Sequence, residues 1–295
     1  MYKRQNHGGK YQPTVTSYDD DALLNEWGGY TKKYHAVREV LLAFQGIPAE
    51  PLPAPPALQN IGPVALTQQY SFLHNATKIG KRHRSVMTRS MEYYGQNFGF
   101  ILYHHDLKGP YEASKLFIDG LADRAYVYVN GQLRGMVYRN DKKKFVSIEA
   151  LPDGGSLDIL VEAMGRVNYG PELHDRKGVR QIRLNNQVLF NWDVYTLPLD
   201  NIDALDYSGS EDFPAFLKGR FTTNSQADCF VHLKGFTKGY VFINGFNLGR
   251  YWKIGPQKSL YVPGTILKQE NEIIVLELEG CRANEVEITD YHDIG

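Results

Sequence analysis

The residues best suited to chemistry near the start of the chain are a tyrosine and three consecutive aspartates, Tyr18 and Asp19 to Asp21, in the stretch VTSYDDDALLNEWG. A phenol beside carboxylates could bind polar groups of a ligand or exchange protons with it. Few residues precede this cluster, and nothing upstream is long enough to hold it in place. We therefore interpret the segment as part of a larger structure.

A second candidate pair of carboxyl groups, Glu277 and Glu279, lies near the end of the sequence. Hydrolysis of a glycosidic bond with retention needs two carboxyl groups roughly 5–5.5 Å apart. These glutamates alternate with Leu276 and Leu278, and successive strand residues face opposite sides of a sheet. The pattern predicts a solvated glutamate face over an apolar leucine face, and not a catalytic pair.

Histidine and cysteine positions predict neither a metal site nor a nucleophile. His104 and His105 are neighbours on a predicted strand, so they point to opposite faces and cannot hold one ion together. His174 and Asp175 could pair in a loop, but no third ligand follows at metal-like spacing. The two cysteines have no histidine at a catalytic spacing, and nothing marks a nucleophile elbow. We expect no metal, no cofactor and no catalytic apparatus in these regions.

Two segments are rich in aromatic and loop-forming residues. Residues 164–178 place Tyr169 between Asn168 and Gly170, and residues 247–264 contain three aromatic residues among glycines and prolines, Tyr251, Trp252 and Tyr261. Such rings could stack on sugars, but aromatic residues that close the end of a sandwich are more common.

Composition restricts the class of protein. The 295 residues carry 33 basic and 33 acidic side chains, so no net charge favours nucleic acid or an anionic membrane. No apolar run approaches the length of a membrane span. The two cysteines cannot build a disulfide framework. Cytoplasmic and secreted locations are both compatible with the sequence.

The spacing of apolar residues predicts one helix followed by β-structure. Residues 30–45 carry apolar side chains at helical spacing and end before Gly46. Residues 48–63 are proline-rich and predict an extended connector, and the basic residues 78–90 are interpreted as a solvated loop. From residue 91 onward, short alternating strands are separated by turns.

An internal duplication organises the β-rich part. Asn-Gly pairs at 130–131 and 244–245 are strong signals for tight hairpins. The sequence AYVYVNGQLRG at 125–135 aligns with GYVFINGFNLG at 239–249. We therefore predict two β-sandwiches of one architecture.

The same segments resemble a known family. INGFNLGRYWKIGPQKSLYVPG followed by NEIIVLELEG resembles the C-terminal galactose-binding-like jelly roll of the β-galactosidases of glycoside hydrolase family 35. AYVYVNGQLRG and LVEAMGRVNYGPELHDRKG resemble the all-β domain that precedes it. PTVTSYDDDALLNEWGGYTKKYHAVREVL resembles the stretch after the last strand of the catalytic (β/α)8 barrel.

This resemblance implies a mainly β fold with two galactose-binding-like jelly-roll sandwiches, preceded by a short helical remnant of the barrel. The implied divisions are 1–47 for the barrel remnant, 48–90 for the linker and basic loop, 91–198 for the first all-β domain, and 199–295 for the galactose-binding-like domain. We hypothesise that residues 1–5, MYKRQ, derive from a sequencing adaptor and are not native.

The family's activity is the retaining hydrolysis of terminal non-reducing β-D-galactose residues. Its acid/base and nucleophile glutamates lie upstream of the tyrosine–aspartate segment, so neither is carried over to this chain and the status of the chain as an enzyme stays open. The resemblance implies substrate contacts at Tyr18 and Tyr169. Asp20 stands where the family pattern has a second tyrosine.

Two further hypotheses are a stand-alone carbohydrate-binding sandwich module and a structural or oligomerisation module. The apolar helix at 30–45 favours a fragment, because a self-contained lectin has no reason to keep a barrel-edge helix. The expected partners are galactosides bound through the absent barrel, without nucleic acid or membrane. The full-length parent could form a homo-oligomer.

Overall fold

The computed structural model describes residues 21–166, 171–206 and 212–294. They form two compact units. The first contains described residues between 70 and 206, and the second contains 21–69 together with 212–294.

Strands dominate both units. The helices are α1 (Lys32–Gln45) and α2 (Phe72–Ile79), and the strands are β1 (Gly62–Ser71), β2 (Lys81–Ser85), β3 (Phe100–Leu107), β4 (Ser114–Asp119), β5 (Arg124–Val129), β6 (Gln132–Tyr138), β7 (Phe145–Ile148), β8 (Gly155–Glu162), β9 (Gln181–Leu184), β10 (Gln187–Val188), β11 (Trp192–Leu197), β12 (Ala215–Thr222), β13 (Cys229–His232), β14 (Lys238–Ile243), β15 (Phe246–Trp252), β16 (Ser259–Val262), β17 (Glu270–Glu277) and β18 (Glu285–Thr289). Neither helix is long and apolar enough to cross a membrane.

The first unit packs two antiparallel sheets against each other. The larger sheet has the order β2-β11-β3-β8-β5-β6, and the smaller has the order β10-β9-β4-β7. Alternate residues of β8, Leu157, Ile159 and Val161, enter the core between the sheets, where Trp192 is 1% exposed. This alternation follows from the two-residue period of a strand, and it confirms a sandwich.

The second unit is built from one eight-stranded sheet that surrounds a second core. Its order is β15-β14-β17-β12-β1-β18-β13-β16. Core residues again alternate along the strands, as Val241 and Ile243 do on β14 and Ile273 and Val275 do on β17. The mainly β fold predicted from the sequence is confirmed.

The two hairpins share their geometry in detail. Asn130 and Asn244 both adopt positive φ, at 51° and 50°. The Asn130 side chain accepts a hydrogen bond from Ser156 N–H, and the Asn244 side chain accepts one from Glu272 N–H. Both hairpins carry a register shift in the middle of their first strand. The two hairpins therefore share the turn conformation, the hydrogen bond of the asparagine side chain and the position of the bulge, as the predicted duplication implies.

Helix α1 lies close to its predicted position but has no packed face. The Thr31 side chain accepts from Tyr34 N–H at its start, and Gly46 in the left-handed conformation ends it. None of its residues is buried, and Phe44 is 89% exposed. The origin of residues 1–47 as a barrel remnant stays a prediction.

The interpretation of residues 48–90 as linker and loop was wrong in three places, since this stretch contains β1, α2 and β2. Val64 and Leu66 alternate with exposed residues, so β1 enters the second core and pairs with β18. The prolines before it had obscured this alternation. The basic residues Lys81–Ser85 form β2 at the edge of the larger sheet, where charged side chains remain solvated and discourage further strand pairing.

Candidate functional site

The two predicted substrate contacts, Tyr18 and Tyr169, lie outside the described residues. The structure does describe both ends of the segment that carries Tyr169, up to Arg166 and again after residue 170. We call this segment the 166–175 loop. The contacts that hold its two ends are described below.

A buried carboxylate, Asp123, joins the two ends of the 166–175 loop. Its side chain is fully buried and accepts hydrogen bonds from Met164 N–H (2.6 Å) before the loop and from Lys177 Nζ (2.9 Å) after it. Arg139 donates to Asp123 at 2.7 Å and also to Asp175, to which Lys177 donates at 2.9 Å. Two carboxylates and two cations thus neutralise one another where solvent is excluded.

The pKa values of Asp123 and Asp175 shift in opposite directions because their surroundings differ. Burial raises the pKa of Asp123 and outweighs the opposing charges of Lys177 and Arg139. Burial also raises the pKa of Asp175, but hydrogen bonds from Arg139 and Lys177 prevail and leave this pKa below its usual range. Asp175 therefore stays ionised and is committed to its two cations.

A second carboxylate, Glu92, binds the same two ends of the loop. Arg166 donates to Glu92 Oε1 at 2.6 Å, and Lys177 N–H donates to the same oxygen at 2.9 Å. Arg166 also donates to the carbonyl oxygens of Asn97 and Asp175. The 166–175 loop is therefore fixed at both ends by side chains that come from elsewhere in the first unit.

The contacts of Glu92 and Asp123 with the 166–175 loop were not predicted from the sequence. The sequence suggested a pair of His174 with Asp175, whereas the structure pairs Asp175 with Arg139 and Lys177. The missed residues Glu92 and Asp123 belong to no motif, and their partners lie up to 85 residues away. The only available signal was that Asp123 directly precedes an otherwise apolar strand.

The histidine pair on β3 behaves as predicted for neighbours on a strand. His104 Nδ1 lies 2.7 Å from Asp158 Oδ1, whereas His105 lies 3.3 Å from the carbonyl oxygen of Asn191. No group of three or more ligand side chains among the described residues could hold a metal ion. Cys229 and Cys281 are both free.

We expect His104 to stabilise the first unit most at acidic pH. Its hydrogen bond with Asp158 raises the pKa of His104 despite burial. The stabilisation is complete below the unfolded-state pKa, about 6.5, and is lost as pH rises through the higher folded-state pKa. The stability lost in His104→Gln, measured by urea unfolding, should therefore shrink between about pH 5.5 and pH 8.5.

His105→Gln is the matched control. Burial lowers the pKa of His105, so its contribution changes with pH in the opposite direction. Equal losses in His104→Gln at both ends of the pH range would contradict the prediction.

The structure corrects the interpretation of Glu277 as a solvated residue. Glu277 shares the face of β17 that carries Ile273 and Val275, and it is fully buried. The leucine face is covered as well, since Leu276 and Leu278 are 0% and 2% exposed. The predicted alternation is correct, but Glu277 faces the core and not the solvent.

Glu277 is held by donors of its own domain. It accepts from the backbone N–H groups of Thr237 (2.8 Å) and Glu279 (2.9 Å) and from the Tyr251 hydroxyl (3.0 Å). Burial raises the pKa of Glu277. This carboxyl group joins the start of β14 to the end of β17 and is not open to a ligand.

The aromatic residues of 247–264 serve the fold. Tyr251 and Trp252 are 6% and 7% exposed, and the Tyr261 hydroxyl donates to Asp228 at 2.7 Å. The interpretation of these rings as part of the sandwich is therefore the better one, and they offer no open platform for a sugar.

Comparison with known proteins identifies both units. The family description "Beta-galactosidase, first all-beta domain" matches residues 88–198, and "Beta-galactosidase, galactose-binding domain" matches residues 214–272. The two matches follow the order of the two units along the chain.

Curated relatives extend the match to most of the chain. A "Beta-galactosidase-1-like protein" of Mus musculus is 37% identical over 94% of this chain and 45% of its own length. A "Beta-galactosidase" of Bos taurus is 38% identical over 91% of this chain and 46% of its own length. The chain spans about half the length of the curated relatives it matches. Among solved structures, an apo lectin of Pleurotus ostreatus aligns over 79% of each chain with a TM-score of 0.23 at 9% identity, a likeness too weak to carry an argument.

The two family domains follow one another along the chain, and each lies on a β-sandwich with the same hairpin geometry. This chain therefore belongs to the β-galactosidases of glycoside hydrolase family 35 and corresponds to their C-terminal portion.

Proposed function

We propose that this chain supplies the β-domains of a retaining β-galactosidase that hydrolyses terminal non-reducing β-D-galactose residues. The observation that carries the proposal is the paired match to the first all-β domain and the galactose-binding domain of β-galactosidases. In the whole protein, these domains brace the catalytic barrel and form part of the active-site wall.

The 166–175 loop is the part of the first unit that would reach the substrate. Asp123 and Glu92 each bind residues on both sides of it, which fixes the positions of its two ends. Preorganised segments position a side chain better than mobile ones, because less ordering is needed when the ligand binds. Tyr169 on this loop and Tyr18 on the N-terminal segment are the proposed substrate contacts.

The chain by itself is expected to be inactive. Retaining hydrolysis needs two accessible carboxyl groups roughly 5–5.5 Å apart. Among the described residues, Glu277 is buried and held by four donors, and Glu92 is engaged by Arg166 and Lys177. The family resemblance places the two catalytic glutamates before the tyrosine–aspartate segment, and neither was carried over to this chain.

A chromogenic assay tests the proposal. Purified 1–295 should release no nitrophenol from nitrophenyl β-D-galactoside, whereas a version extended by the upstream coding sequence should turn the substrate over and be inhibited by galactose. Galactose-inhibited turnover by 1–295 would contradict the expectation that this chain is inactive by itself. An inactive extended version would contradict the assigned activity.

The alternative of a stand-alone carbohydrate-binding module has less support. The aromatic residues that could stack on a sugar in the second unit are buried or bonded within the fold. Saturable binding of galactose to 1–295 in calorimetry would favour this alternative.

A further inference from the structure

A cleft of about 650 Å³ lies on the first unit and is lined by residues of 87–93 and 174–180 together with Gly120. Its lining includes four exposed basic side chains, Arg89, His174, Arg176 and Arg180. Among the described residues of the lining, Asp175 is the single acidic one. The cleft therefore combines room for a small molecule with an excess of positive charge.

The carboxylates that the structure describes beside the cleft are held by cations outside its lining. Asp175 is committed to Arg139 and Lys177. Glu92, which lies next to the cleft residue Tyr93, is committed to Arg166. Within the part of the chain that the structure describes, no carboxylate forms an ion pair with any of the three cleft arginines.

The backbone that carries these arginines is fixed. The Thr88 hydroxyl donates to the carbonyl oxygen of Arg180 at 2.9 Å. The Tyr103 hydroxyl donates to the carbonyl oxygen of Arg89 at 2.6 Å and accepts from Val179 N–H at 3.2 Å. The two walls are thus joined by side-chain bonds, so the cleft exists before any ligand binds.

An aromatic ring adds a second kind of contact. Tyr93 is 64% exposed at the cleft, and the guanidinium carbon of Arg89 lies 5.3 Å from the centre of its ring. An aromatic ring offers an apolar face to a sugar, and guanidinium groups bind carboxylate or sulfate oxygens with paired hydrogen bonds. Arg89, Arg180 and Tyr93 present both chemistries within one cleft.

From this combination we infer that the cleft binds an acidic sugar, whose carboxylate or sulfate group pairs with the arginines while its ring lies against Tyr93. The cleft belongs to the first unit alone, and the inference does not depend on galactoside hydrolysis. Carboxylate and sulfate share the chemistry that the arginines recognise, so the two are distinguished by experiment.

Calorimetry with the chain 1–295 tests this inference. The probes are methyl β-D-glucuronide, galactose 6-sulfate, the neutral methyl β-D-glucoside and sodium sulfate. At low salt at least one acidic sugar should bind, and the neutral sugar should not. The acidic sugar that binds more tightly identifies the preferred group, and added salt should weaken its binding.

Four variants test the site. Arg89→Gln and Arg180→Gln should each weaken binding about tenfold, since each removes a charge-assisted hydrogen bond. Arg282→Gln, at an exposed arginine of the second unit that does not line the cleft, makes the same charge change and should leave binding unchanged. Tyr93→Ala should weaken binding of the acidic sugar but not of sodium sulfate.

Each contrary result overturns a stated part of the inference. Absence of binding by both acidic sugars, or equal binding of the neutral sugar, would overturn the site. Equal losses in Arg282→Gln and Arg180→Gln would reduce the effect to net charge. Unchanged binding of the acidic sugar in Tyr93→Ala would overturn the role of the ring. No turnover is measured, so failure here leaves the proposed hydrolase function unaffected.

Discussion

Asp123→Ala is expected to unfold the first unit at much lower denaturant concentration than the unaltered protein requires. The substitution removes one of the two carboxylates that Lys177, which is 1% exposed, shares with Arg139, so that Asp175 remains between two cations, and it also removes the acceptor of Met164 N–H. Removal of one member of a buried ion pair costs about 3–5 kcal/mol. This is a large part of the roughly 5–15 kcal/mol that stabilises a typical domain.

Hydrogen exchange along a urea series would measure this loss for each unit separately. Asp193→Ala is the matched control, because Asp193 pairs with Arg82 on the surface, where Arg82 is 49% exposed, and such pairs contribute about 0–1 kcal/mol. The double variant Asp123→Ala/Lys177→Met should recover part of the stability, since it removes both charges and leaves Arg139 paired with Asp175. An Asp123→Ala protein within about 1 kcal/mol of the unaltered one would refute a structural role for the cluster.

Gly239→Ala is expected to destabilise the second unit to a similar degree. A Cβ atom at this position would lie 1.6 Å from the carbonyl oxygen of Leu276 and 2.9 Å from the Tyr251 hydroxyl. Gly239 lies on β14 opposite Glu277 of β17, inside the sheet, so relief of the overlap would require two central strands to separate. We expect a loss of about 3 kcal/mol or more, the upper range for overpacking in a core.

The duplicated hairpin provides a control within the same chain. Ala125 occupies the position of Gly239 in the first unit and pairs with Val161 of β8. Ala125→Gly should cost only about 0.5–1 kcal/mol, the usual cost of a glycine in a strand. Protection in hydrogen exchange should fall only in the unit that carries each substitution. Gly239→Ala with nearly unchanged protection would mean that β14 and β17 can move apart without cost.

Local features of this protein were predictable because local chemistry sets them. The Asn-Gly pairs require positive φ, which fixes the turns at 130–131 and 244–245 and with them both hairpins. Helix α1 followed from its apolar spacing and from Gly46. The strand β1 was missed because neighbouring prolines concealed its short alternation, and β2 was missed because all of its residues are charged or polar.

The buried charges could not be predicted in the same way. Alternation at the end of β17 showed that Glu277 and Leu276 face opposite sides, but it did not show which side is covered. Both sides are covered in the fold, and Glu277 is the residue that enters the core. The packing of other strands determines which face of β17 is buried, and no residue near Glu277 in the sequence indicates it.

The sequence by itself determined the family, the order of the two β-domains and the turns of their hairpins, because each depends on residue types within a short stretch of chain. The tertiary structure alone decided which charged residues meet. Asp123 reaches Lys177 across 54 positions and Glu92 reaches it across 85, through strand pairing that no local pattern encodes. Among the described residues, the same pairing leaves no carboxylate for the arginines of the cleft, because the nearby carboxylates bind other cations.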